Sequence, residues 1–105
     1  MRKDIVAVIK DLAIKRHPEE MVGYVKDGEF IELKNISKNP TQRYQLSIQD
    51  KMHVLGSQVD ALVHSHPNMS NDPSDLDSAA QRATGLEFWI VGTDGKNTTD
   101  IKEIK

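Results

Sequence analysis

Two histidines, His64 and His66, stand one residue apart, and an aspartate, Asp77, follows eleven positions after the second. Side chains on a β-strand alternate between its faces, so this spacing sends both imidazoles to one side. Two imidazoles and one carboxylate make a three-ligand zinc set, which leaves a fourth position for water. A closed structural site would want four protein ligands, commonly including cysteine, and this chain has no cysteine. The same absence removes disulfides, thiol nucleophiles, zinc fingers and the cysteine pair of the zinc deaminases.

Each piece alone is a weak signal. In a chain with four histidines, His-x-His is more often a pair of surface or hydrogen-bonded residues than a metal site. Ser74-x-x-Asp77 alone reads as a capping box, with Ser74 at the N-cap and Asp77 at N3. Ser47-x-x-Asp50 repeats that spacing with no His-x-His ahead of it. The combination differs: His64, His66, Pro67, Ser74 and Asp77 specify five positions. A chance match in a chain of this length is on the order of one in 10⁵.

The elements that must position these residues follow from patterning. Ile5, Val8, Ile9, Leu12 and Ala13 mark one face of a first helix, which Pro18 stops near His17. Met21 to Lys26 and Glu29 to Leu33 read as a hairpin, with Asp27-Gly28 suited to a type I′ turn. Asn35 to Thr41 reads as loop and Arg43 to Leu46 as a short strand. Ser47 opens a short helix through Leu55, with Gly56 as its stop. Val59 to His64 reads as a strand whose period puts Leu62, His64 and His66 on one face. The loop from His66 to Pro73 is long enough to fold the next helix start back over the strand end. That helix begins at Ser74, carries Leu76, Ala79, Ala80 and Ala83 as its apolar face, and ends at Gly85. Leu86 to Val91 reads as a central strand, and the last residues as an edge strand. This order implies an α/β fold, one mixed β-sheet flanked by helices.

A length of 105 residues suits one domain, 1–105, with one core, and is too short for a (β/α)₈ barrel. Lys and Arg total 14 against 16 Asp and Glu, a net charge of −2, so no nucleic-acid partner is expected. The apolar run Ile5–Ile9 is shorter than a secretory or membrane-spanning segment. No membrane association is expected, and a soluble protein of the cell interior is.

The five-position run resembles the motif of the JAMM (MPN+) metalloprotease family and matches it completely. That family also uses a distant glutamate in a Pro-x-Glu-x-x-Gly setting. Here Pro18-Glu19-Glu20-Met21-Val22-Gly23 puts Glu20, not Glu19, at that position. Val22 stands where many relatives carry a cysteine, a packing difference. Pro67 to Val91, and the stretch from Asn39 to Ser47, look most like the JAMM domain of phage tail assembly proteins of the lambda K type. Such proteins often continue into a cysteine-dependent peptidase domain, whose function does not carry over to these residues. Nor is there room for the insertions with which eukaryotic relatives grip ubiquitin chains.

The resemblance implies an MPN/JAMM-like fold with cytidine-deaminase-like layering and a zinc-dependent peptidase or isopeptidase. Zinc (Zn2+) would sit on His64, His66 and Asp77. Glu20 would be the general base, and Ser74 would help hold the oxyanion. Implied substrates are peptides or proteins: a phage tail precursor, a ubiquitin-like tail or a cell-wall peptide. The compartment would be the host cytoplasm if the chain is phage-encoded. Two other readings stand beside this one, an MPN-type scaffold of tail assembly without turnover and zinc held for structure alone. Outside the motif, His17 and His53 are expected at the surface, Ser65 facing away from the histidines, and Phe88 and Trp89 in the core. Lys34 to Tyr44 and Asn68 to Asp72 are the expected specificity loops.

Overall fold

The computed structural model describes residues 3–105. Its elements run α1 (Lys3–Arg16), β1 (Val22–Lys26), β2 (Glu29–Leu33), α2 (Ile48–Gly56), β3 (Ala61–His66), α3 (Asp75–Thr84), β4 (Phe88–Gly92) and β5 (Lys102–Ile104). The strands form one sheet in the order β2-β1-β3-β4-β5. β3 and β4 pair in parallel, joined by the α3 crossover, and the other neighbours pair antiparallel. This is the expected mixed sheet flanked by helices. No helix among the described residues is long and apolar enough to cross a membrane.

The two-residue period splits the core into two layers. Ile5, Ile9 and Ala13 of α1 pack with Met21, Val25, Ala61, Val63, Trp89 and Val91. Val54 of α2 packs with Val22, Tyr24, Val59, Leu62 and Phe88, and Ala80 of α3 joins them. The histidines of β3 share their face with Leu62, so they point toward the layer of α2 and α3. The hairpin turn is as read from Asp27-Gly28: both residues have positive φ, 53° and 80°, which a type I′ turn requires.

Several boundaries depart from the sequence reading. Arg43 to Leu46 forms no strand. Its backbone is held by Asn35, whose Oδ1 accepts from the Gln45 amide at 3.1 Å while its Nδ2 donates to the Arg43 carbonyl at 3.3 Å. A side chain takes over what a neighbouring strand would do. The strand expected at Val59 to His64 sits two residues later, at Ala61–His66, with the Asp60 amide donating to the Val25 carbonyl just before it. Gly56 does not stop α2. The helix includes it, Ser57 caps it, and Gln58 takes the left-handed turn. Gly85 does end α3, with φ 70° and its amide on the Gln81 carbonyl.

The expected apolar face of α3 is the largest correction. Leu76 is 68% exposed, and Ala79 and Ala83 lie at the surface. The helix instead turns Asp77 inward, because the contacts available to that carboxylate outweigh what alanine methyls gain by burial. Leu76→Gln should therefore change stability by no more than about 0.5 kcal/mol. Ile9→Ala, at a fully buried site of α1, should cost about 2–5 kcal/mol. Urea denaturation of the two variants checks the contrast.

Candidate metal centre

His64 and His66 lie at the end of β3, His64 between Val22 of β1 and Ile90 of β4, and His66 beside Gly92 of β4. Asp77 enters from α3. Its position is set by reciprocal hydrogen bonds at the helix start: Ser74 Oγ accepts the Asp77 amide at 3.1 Å, and Asp77 Oδ2 accepts the Ser74 amide at 2.9 Å. This capping box aims the carboxylate at the strand end. Asp77 Oδ2 lies 2.9 Å from His66 Nε2, and Oδ1 lies 3.1 Å from His64 Nε2. One ligand atom from each of the three residues falls within 4.8 Å of the others. So the sequence-predicted metal set is brought together, and all three residues are buried.

The donor chemistry fits a divalent ion. His64 is wholly buried: its Nε2 faces Asp77 Oδ1 at 3.1 Å, and its Nδ1 has no hydrogen-bond partner. Orphaned buried polar atoms are rare and call for an explanation, an ion among them. Burial pushes the His64 imidazole below its ordinary pKa, more than Asp77 raises it. The ring is therefore neutral, with a lone pair to offer. Burial would raise the Asp77 carboxyl, but the two imidazoles and the Ser74 amide hold it well below the usual carboxylate range. Burial also depresses His66, yet Asp77 and then Glu20 outweigh it and the ring is raised. His66 Nδ1 donates to the Ser70 carbonyl at 3.2 Å, which turns Nε2 toward Asp77. A ring held in this way is the usual setting of a metal-ligating histidine.

Glu20 lies just before β1 rather than on it, in the link from α1. Its amide donates to the Pro40 carbonyl at 2.7 Å, and its carbonyl accepts from Asn35 Nδ2 at 3.0 Å. Although its charge falls where a solvated carboxylate would be common, the residue is buried. Burial pushes its carboxyl up to about 7, with His66 opposing and Asp77 adding to the rise. Glu20, His66, Ser74 and Asp77 line one cavity of about 1110 Å³, with Tyr44 on its wall. Glu19 is exposed.

The remaining expectations divide. Ser65 faces away from the histidines, and its Oγ accepts the Met21 amide at 2.8 Å, which ties the residue after Glu20 to β3. Phe88 and Trp89 are core, and His53 is exposed with Tyr24 and Ser57 as partners. His17 is half-buried rather than exposed, because its ring covers the space beside Gly95. Tyr44 is the residue that sequence reasoning passed over. Its ring centroid lies 4.9 Å from that of His64, and burial, then Asp77 and Glu20, push its phenol upward. The aromatic in a polar loop was the available signal, but the path of that loop is set by Asn35 and not by local pattern.

Comparison with known proteins agrees with this geometry. Residues 2–104 match the family of prokaryotic homologs of the JAB domain. The tail tip assembly protein K of Escherichia phage N15 is 34% identical over 96 residues, covering 87% of this chain and 40% of that protein. The chain thus spans less than half the length of that relative. Among solved structures, a JAB1/MPN domain protein from Archaeoglobus fulgidus superposes with a TM-score of 0.60 at 24% identity, over 96% of this chain and 90% of that one. A protein from Desulfitobacterium hafniense gives a TM-score of 0.66 at 18% identity, over 98% and 87%. With the fold, the His/His/Asp cluster and the family match in agreement, the chain belongs to the JAB/MPN (JAMM-like) domain family and is related to the phage tail tip assembly proteins K.

Proposed function

We propose that the chain is a zinc-dependent metallopeptidase or isopeptidase that hydrolyses an amide bond in a peptide or protein. The observation that carries this reading is the buried His64, His66 and Asp77 cluster, of which His66 and Asp77 reach a cavity whose wall also bears Glu20. Zinc, when bound there, would supply Lewis-acid polarisation of a carbonyl and lower the pKa of water to about 7. His64 and His66 would hold it through neutral imidazoles and Asp77 through its ionised carboxylate.

Glu20 takes the proton from the attacking water and returns it to the leaving amine as the carbon–nitrogen bond breaks. Its raised carboxyl suits both halves of that transfer near neutral pH. Ser74 Oγ already accepts the Asp77 amide, so the hydroxyl proton remains to be donated to the oxyanion as it forms. The relative from phage N15 is named for tail tip assembly. That name supports a tail protein as substrate, met in the host cytoplasm, ahead of a ubiquitin-like tail. It equally supports the second reading, an assembly scaffold that binds zinc without turnover.

The deciding experiment is cleavage of a broad peptide library by the zinc-loaded chain, before and after chelation. Chelator-sensitive cleavage supports the peptidase; stoichiometric zinc with no cleavage supports the scaffold. The chain supplies its own control for Ser74. Ser47 and Ser74 both cap helices by accepting the amide three residues on. Ser47→Ala and Ser74→Ala should each cost about 1 kcal/mol of stability. Only Ser74→Ala should also lower turnover, by roughly 10²–10³-fold. Equal turnover in the two variants would confine Ser74 to capping.

A further inference from the structure

We infer that Gly92, at the end of β4, is a positioning residue for the metal centre. It acts on His66 through the loop between β3 and α3. The inference rests on the metal reading above. Gly92 is the register partner of His66 across the parallel pair, so the two share a face of the sheet. The Thr93 amide donates to the His66 carbonyl at 2.9 Å and fixes that register.

The loop leaves β3 at His66 and folds back across Gly92. A Cβ at residue 92 would lie 2.5 Å from the Ser70 nitrogen, 2.6 Å from the Met69 carbonyl carbon and 2.7 Å from the Ser70 oxygen. These are backbone atoms, which cannot rotate away as a side chain would. The Ser70 oxygen is the acceptor for His66 Nδ1 at 3.2 Å, already a long hydrogen bond. Any side chain at 92 must lift that peptide and break the contact.

The loop has little freedom to adjust by another route. Asn68 Oδ1 accepts the Ser70 amide at 3.0 Å, and Met69 between them has φ 59°. Asn71 Nδ2 donates to the Asp100 carbonyl at 2.9 Å, and Lys102 of β5 pairs with Asp72 at 2.6 Å. The far half of the loop is thus tied to the β5 edge, and the near half is pressed onto Gly92. With Nδ1 committed to Ser70, the metal-facing nitrogen of His66 is Nε2. Loss of that commitment leaves ring orientation and tautomer unset, and loss of such a partner typically costs 10- to 100-fold in metal affinity.

The test is zinc affinity by competition with a chromophoric chelator, with the d–d absorption of the cobalt(II)-loaded chain as a second readout. Gly92→Ala should weaken zinc by roughly 10- to 100-fold and alter the cobalt spectrum. Gly56→Ala adds a methyl where no atom lies within 4 Å, and should leave both unchanged. If Gly92→Ala does not fold, Asn68→Ala carries the test, since it frees the Ser70 amide and leaves β4 intact. It should weaken zinc about fivefold, the effect of one hydrogen bond. A folded Gly92→Ala, or in its place Asn68→Ala, with wild-type zinc affinity and cobalt spectrum would overturn the inference while leaving the metal reading in place. A wild-type chain that takes up no zinc would overturn the metal reading itself.

Discussion

His64→Ala and Asp77→Ala are each expected to abolish stoichiometric zinc binding at micromolar protein. Structural zinc sites with four ligands bind with about 10–16 kcal/mol, so one ligand is worth on the order of 3 kcal/mol, or two orders of magnitude in affinity. A site with three ligands can spare less. The two variants should differ in stability. Asp77 closes the capping box of α3 by accepting the Ser74 amide, so Asp77→Ala should also cost about 1 kcal/mol in the zinc-free protein. His64→Ala instead opens a void between Tyr44 and Phe88, whose ring centroids lie 4.9 Å and 6.1 Å from that of His64. It also removes a buried ring nitrogen, Nδ1, that has no hydrogen-bond partner. Those two terms oppose each other, so its stability cost in the zinc-free protein should be smaller than that of a comparable core truncation. Metal analysis after gel filtration, with denaturation of the chelated proteins, checks both parts. One tightly held zinc per chain in His64→Ala would remove His64 from the ligand set.

The ligand set was legible in the sequence because its geometry is local. A period of two on β3 and a capping box on α3 fix three side chains, and both rules act within a few residues. The type I′ turn and the α1 stripe of Ile5, Ile9 and Ala13 were legible for the same reason. What escaped depends on contacts distant along the chain. Arg43 to Leu46 alternates like a strand, but Asn35 takes its backbone bonds, and nothing within those four residues announces it. Tyr44 reaches His64 because of that same loop. Of the α3 face read by period, Ala80 does pack on the core, but Leu76, Ala79 and Ala83 do not, and Asp77 turns inward beside it. A charged side chain at the centre of a buried site overrides the hydrophobic period, and the period alone cannot reveal it.

Glu20→Gln should separate chemistry from structure at this site. The substitution keeps the shape of the side chain and leaves its backbone contacts with Pro40 and Asn35 unchanged. Zinc stoichiometry should therefore be that of the wild type, because Glu20 is not among the three converging ligands. Turnover should fall by about 10²–10⁴-fold, the usual weight of a general acid–base group. Stability should move the other way. In the zinc-free protein, burial holds the Glu20 carboxyl at about 7, above the ordinary carboxylate range. The unfolded chain then ionises before the folded one, so this residue's penalty is absent at low pH and grows as pH rises through that interval. Glutamine carries no such penalty. Above neutral pH the zinc-free variant should be more stable than wild type by on the order of 1–3 kcal/mol, and the gain should vanish near pH 4. A variant that loses turnover and gains stability is what a strained catalytic group predicts, whereas a structural carboxylate would lose both. Urea midpoints at pH 5 and pH 8, beside cleavage rates of the zinc-loaded proteins, decide between them. Full cleavage activity in Glu20→Gln would remove the general-base role and leave only the metal site.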